Sequence, residues 1–374
     1  MPFIRFSLKM LLIALCASAF FACGNQEGEE SERQELADSM EWINHGDWSL
    51  QIAADVGEKL GGCAIGDVDP DVPGNEIVAV GESGAVYLVA FKDGAWTDEI
   101  IGQAPGEMVQ CVLGDIDANR PGLEIVVVGI AEGTEDDGGP GMAHVLFLEE
   151  GEWVMRDIYR SPALLHAACV AELDNTPGAE VLLAGFSGQA VVMDLAEDGW
   201  VEIPAGELPG AAKNAVAYQD GVALACADGS LALVRSGPNG YETEIIDQVP
   251  AGNARLATDG EGRLLVARDD GVLDLYVDGA RDEIYKESEK LRGAVLANLD
   301  PTQPGLEAVT AGYGKTITVL HQEGDLWDAT EIFEDTDKLH HVTAGYIGAL
   351  GSSTFLVACG YSGRVLVLRR ASGT

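Results

Sequence analysis

Short apolar runs separated by Gly-, Asp- and Asn-rich punctuation fill the chain from Gly61 to its end. Between Gly61 and Ile100 the runs are Cys63 to Ile65, Ile77 to Val80 and Val86 to Phe91, followed by a mixed polar and apolar stretch around Trp96. Runs this short, rich in β-branched residues and bounded by turn formers, predict four strands rather than helices. No long helical periodicity appears after residue 42. Gly81-Glu82-Ser83-Gly84 and Gly360-Tyr361-Ser362-Gly363 mark tight turns, where glycine takes a positive φ without steric cost.

The last run of each unit ends in a recurring pattern, an aromatic three to five residues before an Ile, found seven times: Asp47 to Ile52, Ala95 to Ile100, Glu152 to Ile158, Gly199 to Ile203, Gly240 to Ile245, Gly279 to Ile284 and Leu326 to Ile332. Counted from Trp48, Trp96, Trp153, Trp200, Tyr241, Ala280 and Trp327, the spacings are 48, 57, 47, 41, 39 and 47 residues, the range of propeller repeats. The first copy has no unit before it, and the last unit has no copy after it. An all-β, seven-bladed β-propeller resolves both facts if the N-terminal strand completes the last blade and closes the ring. The 374 residues then form one propeller over 42–374, preceded by a leader over 1–22 and a polar segment over 23–41.

Net charge is −40, with 62 acidic against 22 basic residues. That balance argues against a nucleic-acid partner, which needs clustered Lys and Arg, and suits a solvated acidic surface that keeps a monomer soluble. At the N-terminus Arg5 and Lys9 precede an apolar run from Met10 to Phe21 and then Ala22-Cys23-Gly24. This has the layout of a secretory signal. It resembles a bacterial lipoprotein signal, which implies lipidation of Cys23 and a membrane partner through that lipid; an ordinary cleaved signal is the alternative. Gly24 in place of Asp implies, by the same resemblance, an outer-membrane lipoprotein of the cell envelope. Asn25 to Ser39 reads as an acidic disordered tether. Cys63, Cys111, Cys169, Cys226 and Cys359 stand where other units carry Ala or Val, so they read as small core residues.

Gly61 to Gly81, Val109 to Gly129, His166 to Gly185 and Arg292 to Gly312 share an apolar strand, an acidic loop with Pro-Gly, then Glu and a second apolar strand. The pattern GDxDxxxPGxE resembles the FG-GAP/VCBS repeats of integrin-type and bacterial surface propellers, over about 320 residues of this chain. The resemblance implies that such a loop can hold Ca²⁺ through closely spaced hard oxygen ligands. The corresponding residues are Asp67, Asp69, Asp71 and Glu76 in the first unit and Asp115, Asp117, Asn119 and Glu124 in the second. The weaker third and sixth loops offer Asp174, Asn175, Glu180, Asp300 and Glu307. The Pro-Gly pair places the final acid one residue late, and the competing reading is that the first Asp caps the turn while Glu braces the next strand.

Aligning the units places Gly61, Val109, His166, Arg292 and His340 at one position where inner strands open onto a channel, with Gln110 and His341 next along. Lys213, Asn214, Asn253 and Arg255 come from the more divergent units. Three of the six histidines fall here. The ring reads as a polar channel lining, a binding site for a polar or anionic ligand, or a catalytic site. Two functions follow: a non-catalytic, lipid-anchored scaffold that displays loops to a protein or glycan, or a secreted polysaccharide lyase or hydrolase working through His166, Arg292, His340 and His341. Some families with related repeats are lyases in which His and Arg or Tyr handle a neutralised uronate. No nucleophile elbow, phosphate-binding loop or HExxH pattern is present. The insert from Ala131 to Gly141 reads as a long surface loop.

Overall fold

A computed structural model describes residues 41–131, 139–174, 176–302, 305–324 and 326–371. The leader, Cys23, nearly all of the tether, the loop acids Glu132 to Asp137, and Asn175 lie outside the described residues. Each unit folds as an up-and-down antiparallel sheet because its connections are too short for any other path. In blade one the strands are Leu60–Gly66, Glu76–Gly81, Ala85–Lys92 and Ala95–Gln103, from the channel outward. Five more four-stranded sheets repeat this order. The seventh sheet is made from both ends of the chain.

In blade seven, Leu339–Tyr346 is innermost, followed by Thr354–Gly360 and Arg364–Arg370. The outer strand is β2 (Trp48–Asp55), which pairs from Trp48 opposite Arg370 to Asp55 opposite Arg364. The match extends to detail. In blade one Ala104 N–H donates to Gly84 O at 2.9 Å, and in blade seven Val56 N–H donates to Gly363 O at 2.9 Å. The N-terminal strand therefore closes the ring as its spacing predicts. β1 (Ile43–His45), which the pattern does not announce, adds a fifth strand outside β2.

The recurring Ile is not one structural position. Every outer strand has a bulge, an extra residue that breaks the register and in six of the seven blades turns one side chain inward, Ile246 of blade four staying exposed. Ile158, Ile284 and Ile332 are themselves that residue and are buried. Ile52, Ile100 and Ile245 stand one residue earlier and are exposed, leaving Ala53, Ile101 and Ile246 at the bulge. The bulge recurs; the Ile only marks its neighbourhood.

Apolar cores lie between neighbouring blades, since each sheet is covered on both faces. Between blades seven and one, Leu60, Ile77, Phe355 and Val365 pack with no exposure. The same cluster takes in Trp42, which stacks on Phe355 at 6.4 Å and carries Arg369 over its ring at 4.3 Å. All five cysteines of the propeller are free and buried. Burial raises the Cys169 and Cys226 thiols to about 12, so they behave as apolar filler rather than nucleophiles.

Candidate functional site at the channel mouth

The inner strand of every blade also carries one extra residue, just inside the mouth. Register skips over Gly61, Val109, His166, Lys213, Ala254, Arg292 and His340 in blades one to seven. The sequence alignment holds for five of these, and Lys213 joins them. Asn253 does not: it lies one residue earlier, and its Nδ2 donates to Gly229 O and Ser230 O in the previous blade.

The bulged residues face around the ring. His166 Nδ1 lies 2.8 Å from Lys213 O, and His340 Nδ1 lies 2.7 Å from Gly61 O. A carbonyl only accepts, so Nδ1 must carry the proton in both rings, and Nε2 is left as an acceptor. At Gly61 a Cβ would come within 2.8 Å of Met108 O and of Val109 Cα, which is why this blade uses glycine there.

One residue along, side chains peg blade to blade. Gln110 Oε1 accepts from Ala168 N–H at 3.0 Å, and Asn214 Oδ1 accepts from Leu256 N–H at 2.9 Å. His341 Nδ1 sits 3.6 Å from Cys63 Sγ. Gln110 and Asn214 are buried and their acceptors are spent on the next inner strand, so they hold the ring rather than display a ligand surface.

Above the bulges the rim is made by the residue that follows each second strand or, in blade two, ends it (Ile130). Its N–H donates to the carbonyl just before the inner strand in all seven blades, from Glu82 to Lys59 O in blade one through Tyr361 to Lys338 O in blade seven. In blades six and seven this position is Tyr313 and Tyr361. Their rings lie 6.0 Å apart and their hydroxyls 3.2 Å apart. His340 stacks under Tyr361 at 5.7 Å. Lys338 Nζ stands 4.7 Å from the Tyr313 ring, Arg292 4.9 Å from it, and Lys59 Nζ 5.6 Å from the Tyr361 ring. The tyrosines were missed at the sequence level, although Gly185-Phe186, Gly312-Tyr313 and Gly360-Tyr361 repeat an aromatic after the turn-opening glycine.

Asp269, the equivalent rim residue of blade five, joins three blades: Oδ2 is 2.5 Å from Lys213 Nζ and Oδ1 is 2.5 Å from Arg292 Nη1. Burial alone would raise its carboxyl, but these two cations outweigh burial and hold it below the usual range. Arg255, only 3% exposed, donates through Nη1 to Lys213 O at 3.2 Å and to Ala254 O at 2.9 Å. Burial, then the neighbouring Arg292, brings its guanidinium down to about 10. Burial, then the charge of Arg255, pushes His166 and His341 down to about 3 and His340 well below its ordinary value. The histidines line open channel and so keep some accessible surface, yet protein surrounds them; they are neutral at pH 7. Tyr313 is held low: burial opposes ionisation, but the Tyr361 hydroxyl, Arg292 and Lys338 together favour it.

The acidic loops occupy the opposite end of the channel. Glu76 Oε2 accepts from Val68 N–H at 3.1 Å and Asp69 N–H at 3.2 Å, and Asp69 Oδ1 accepts from Asp71 N–H at 3.1 Å. Blade two repeats this with Glu124 on the amides of Ile116 and Asp117, and Asp117 on Asn119 N–H. Glu180 and Glu307 do the same for Leu173 and Leu299. The Glu folds back to brace the loop entrance, and the second Asp of the loop, rather than the first, caps the turn. Asp67 and Asp115 contribute backbone carbonyls, accepting from Leu123 and Ala179 of the following blade. Among the described residues no group of three or more His, Cys, Asp or Glu side chains is placed to hold a metal. Four of the carboxylates expected to gather around Ca²⁺, Asp69, Glu76, Asp117 and Glu124, are thus turned toward amides, and these four do not fit the ion as they stand.

A separate cleft of about 630 Å³ lies outside, between blades six and seven, where β1 overhangs His321, Glu323 and Asp328. It shares no residue with the mouth.

No family model matches the chain, and no curated protein matches it. The FG-GAP/VCBS resemblance therefore rests on the loop pattern alone. Among solved structures the chain is similar to the WD40 β-propeller domain of Doa1, with a TM-score of 0.63 at 14% identity, covering 86% of this chain and 98% of that one. Likeness at that identity shows the fold, a seven-bladed propeller, and nothing finer.

Proposed function

We propose that the protein is a non-catalytic binding propeller, lipid-anchored at the cell envelope through Cys23, that docks an acidic glycan or protein partner at the Tyr313–Tyr361 mouth. The observation that carries this reading is the placement of cations. A chain of net charge −40 sets Lys59, Arg292 and Lys338 against two half-buried tyrosine rings at one opening, Lys59 also pairing with Glu82 at 3.0 Å and Arg292 with Asp269 at 2.5 Å. Cations gathered over aromatic rings in an acidic background, Lys338 among them without a carboxylate within 4.0 Å among the described residues, focus field on one spot and draw an anionic ligand there. The ring faces give an apolar plate, and the hydroxyls give donors at its edge. The leader and the FG-GAP/VCBS-like loops support an envelope setting, and the single closed ring supports a monomer.

The reading is tested by binding acidic and neutral oligosaccharides, and envelope proteins, to the purified protein and to its Tyr361→Ala and Lys338→Glu variants. Acidic ligands should bind the parent and weaken at least about tenfold in both variants, a loss of about 1.4 kcal/mol. Binding unaffected by either change removes the mouth from the proposal.

One observation favours the second function, a secreted polysaccharide lyase. Tyr313, held toward ionisation beside Arg292 and the neutral His340, has the makings of a base next to a carboxylate-neutralising cation. Ultraviolet absorbance of an unsaturated product on mixing with polyuronates, lost in Tyr313→Phe, decides for the enzyme.

A further inference from the structure

Arg255 lies inside the channel, one step below the mouth. Its guanidinium is almost wholly buried, its Nε has no acceptor, and among the described residues no carboxylate lies within 4.0 Å of it. Asp269, whose charge reaches it, is already shared between Lys213 and Arg292. Among the described residues this part of the channel thus sets three cations, Lys213, Arg255 and Arg292, around the Asp269 carboxylate. A buried guanidinium whose Nη1 meets only the carbonyls of Lys213 and Ala254 and whose Nε meets nothing is unfavourable unless something compensates its charge.

A shared carbonyl shows where the guanidinium sits: His166 Nδ1 lies 2.8 Å and Arg255 Nη1 3.2 Å from Lys213 O. His166 belongs to blade three and His340 and His341 to blade seven, none of them adjacent to blade five, and the charge of Arg255 helps hold all three rings neutral. Blades that are not neighbours face one another only across the lumen. With Nδ1 of His166 and of His340 bound to a carbonyl, Nε2 of each ring is the free acceptor. The channel wall so combines a guanidinium fork with neutral imidazole acceptors.

We propose that this part of the channel is an oxyanion socket, in which Arg255 binds one carboxylate, phosphate or sulfate group. The planar guanidinium matches the two oxygens of such a group, and the acceptors suit its protonated or hydroxylated neighbours. The socket stands apart from the docking reading: it requires only a small anion, whether free or borne by a larger ligand.

Thermal melting and calorimetric titration of the full-length protein at constant ionic strength test it, with sodium phosphate, sodium sulfate and sodium galacturonate as probes. At least one should raise the midpoint in a saturable way, as a ligand bound only by the native state must. Response to phosphate or sulfate identifies a free inorganic anion as sufficient; response to galacturonate alone identifies a sugar carboxylate. Arg255→Gln should abolish the response, and Arg255→Lys, which keeps the charge should the first variant fold poorly, should raise the dissociation constant at least about tenfold. Arg235→Gln, on an exposed edge of blade four away from the mouth, should leave small-anion binding within about twofold of the parent. No saturable shift with any probe overturns the socket, and so does a shift that survives Arg255→Gln or disappears in Arg235→Gln.

Discussion

The indole N–H of Trp96, on the outer strand of blade one, donates to Oε1 of Gln51 on β2 at 2.8 Å. The same carboxamide donates through Nε2 to Glu41 O at 3.2 Å. One side chain thus joins the first blade, the strand that completes the seventh, and the segment entering from the N-terminus. A chain beginning at Ala54 loses this knot along with the burial of Trp48 and Leu50, each contributing about 1.5–3 kcal/mol. It should melt at a clearly lower temperature, and over a broader range, than one beginning at Gly24. Equal midpoints by circular dichroism would mean the closure adds nothing to stability.

Gly185 ends the second strand of blade three, and a Cβ there would stand 2.1 Å from Leu164 O, the carbonyl that accepts Phe186 N–H. Backbone cannot yield as a flexible side chain can. Gly185→Ala should therefore cost about 1–3 kcal/mol by overpacking, measured by denaturant unfolding. Gly151→Ala makes a useful contrast: it has open space around it and pays only for its positive φ.

The pH dependence follows from the neutral histidines. Above about pH 6.5 His166 is uncharged in folded and unfolded chains alike, and its contribution is fully present. Below that, the unfolded chain takes a proton that the folded chain, with a pKa of about 3, refuses. Stability then falls by up to about 1.4 kcal/mol per pH unit until pH nears the folded value. Glu76 and Glu180 work in the opposite sense: burial lifts both to about 7, so they favour folding as pH drops toward about 4.5. Subtracting the pH profile of His166→Gln from that of the parent isolates the histidine. The difference should be flat above about pH 6.5 and decline below it; parallel profiles would show that His166 is not held neutral.

Glu76 serves buried amides, so Glu76→Ala should cost about 1.5–3 kcal/mol by stranding the Val68 and Asp69 N–H groups. Ca²⁺ should leave the parent midpoint unchanged relative to chelator. A rise with Ca²⁺ that Asp69→Ala removes would establish a metal site the present geometry does not assemble.

The fold was legible because a propeller writes its period into the chain, and because the orphan copy at Trp48 could be placed only in blade seven. The extra strand β1 was not legible: Ile43 to His45 has no apolar alternation, and it pairs only because β2 exposes an edge. At the mouth, alignment found His166 and Arg292 since blades three and six keep the loop pattern, and His340 because blade seven keeps the strand spacing. It misplaced Asn253 by one residue, because blade five lacks that loop and a bulge shifts parity without altering composition. Arg255 and Asp269 could be named or overlooked with equal ease, since burial without a partner is a property of three dimensions.

The inner-strand bulge has a consequence for how such a molecule can change. A single inserted residue breaks the two-residue alternation, so what lies above it is no longer bound to the parity of the core below. The same place holds Gly61, Val109, His166, Lys213, Ala254, Arg292 and His340, residues with nothing in common in size or charge, while the adjoining core stays aliphatic. Recognition and cohesion are thereby written on separate letters. The ring offers seven addresses that selection, or an engineer, can rewrite one at a time, subject only to the space left by the neighbouring blade.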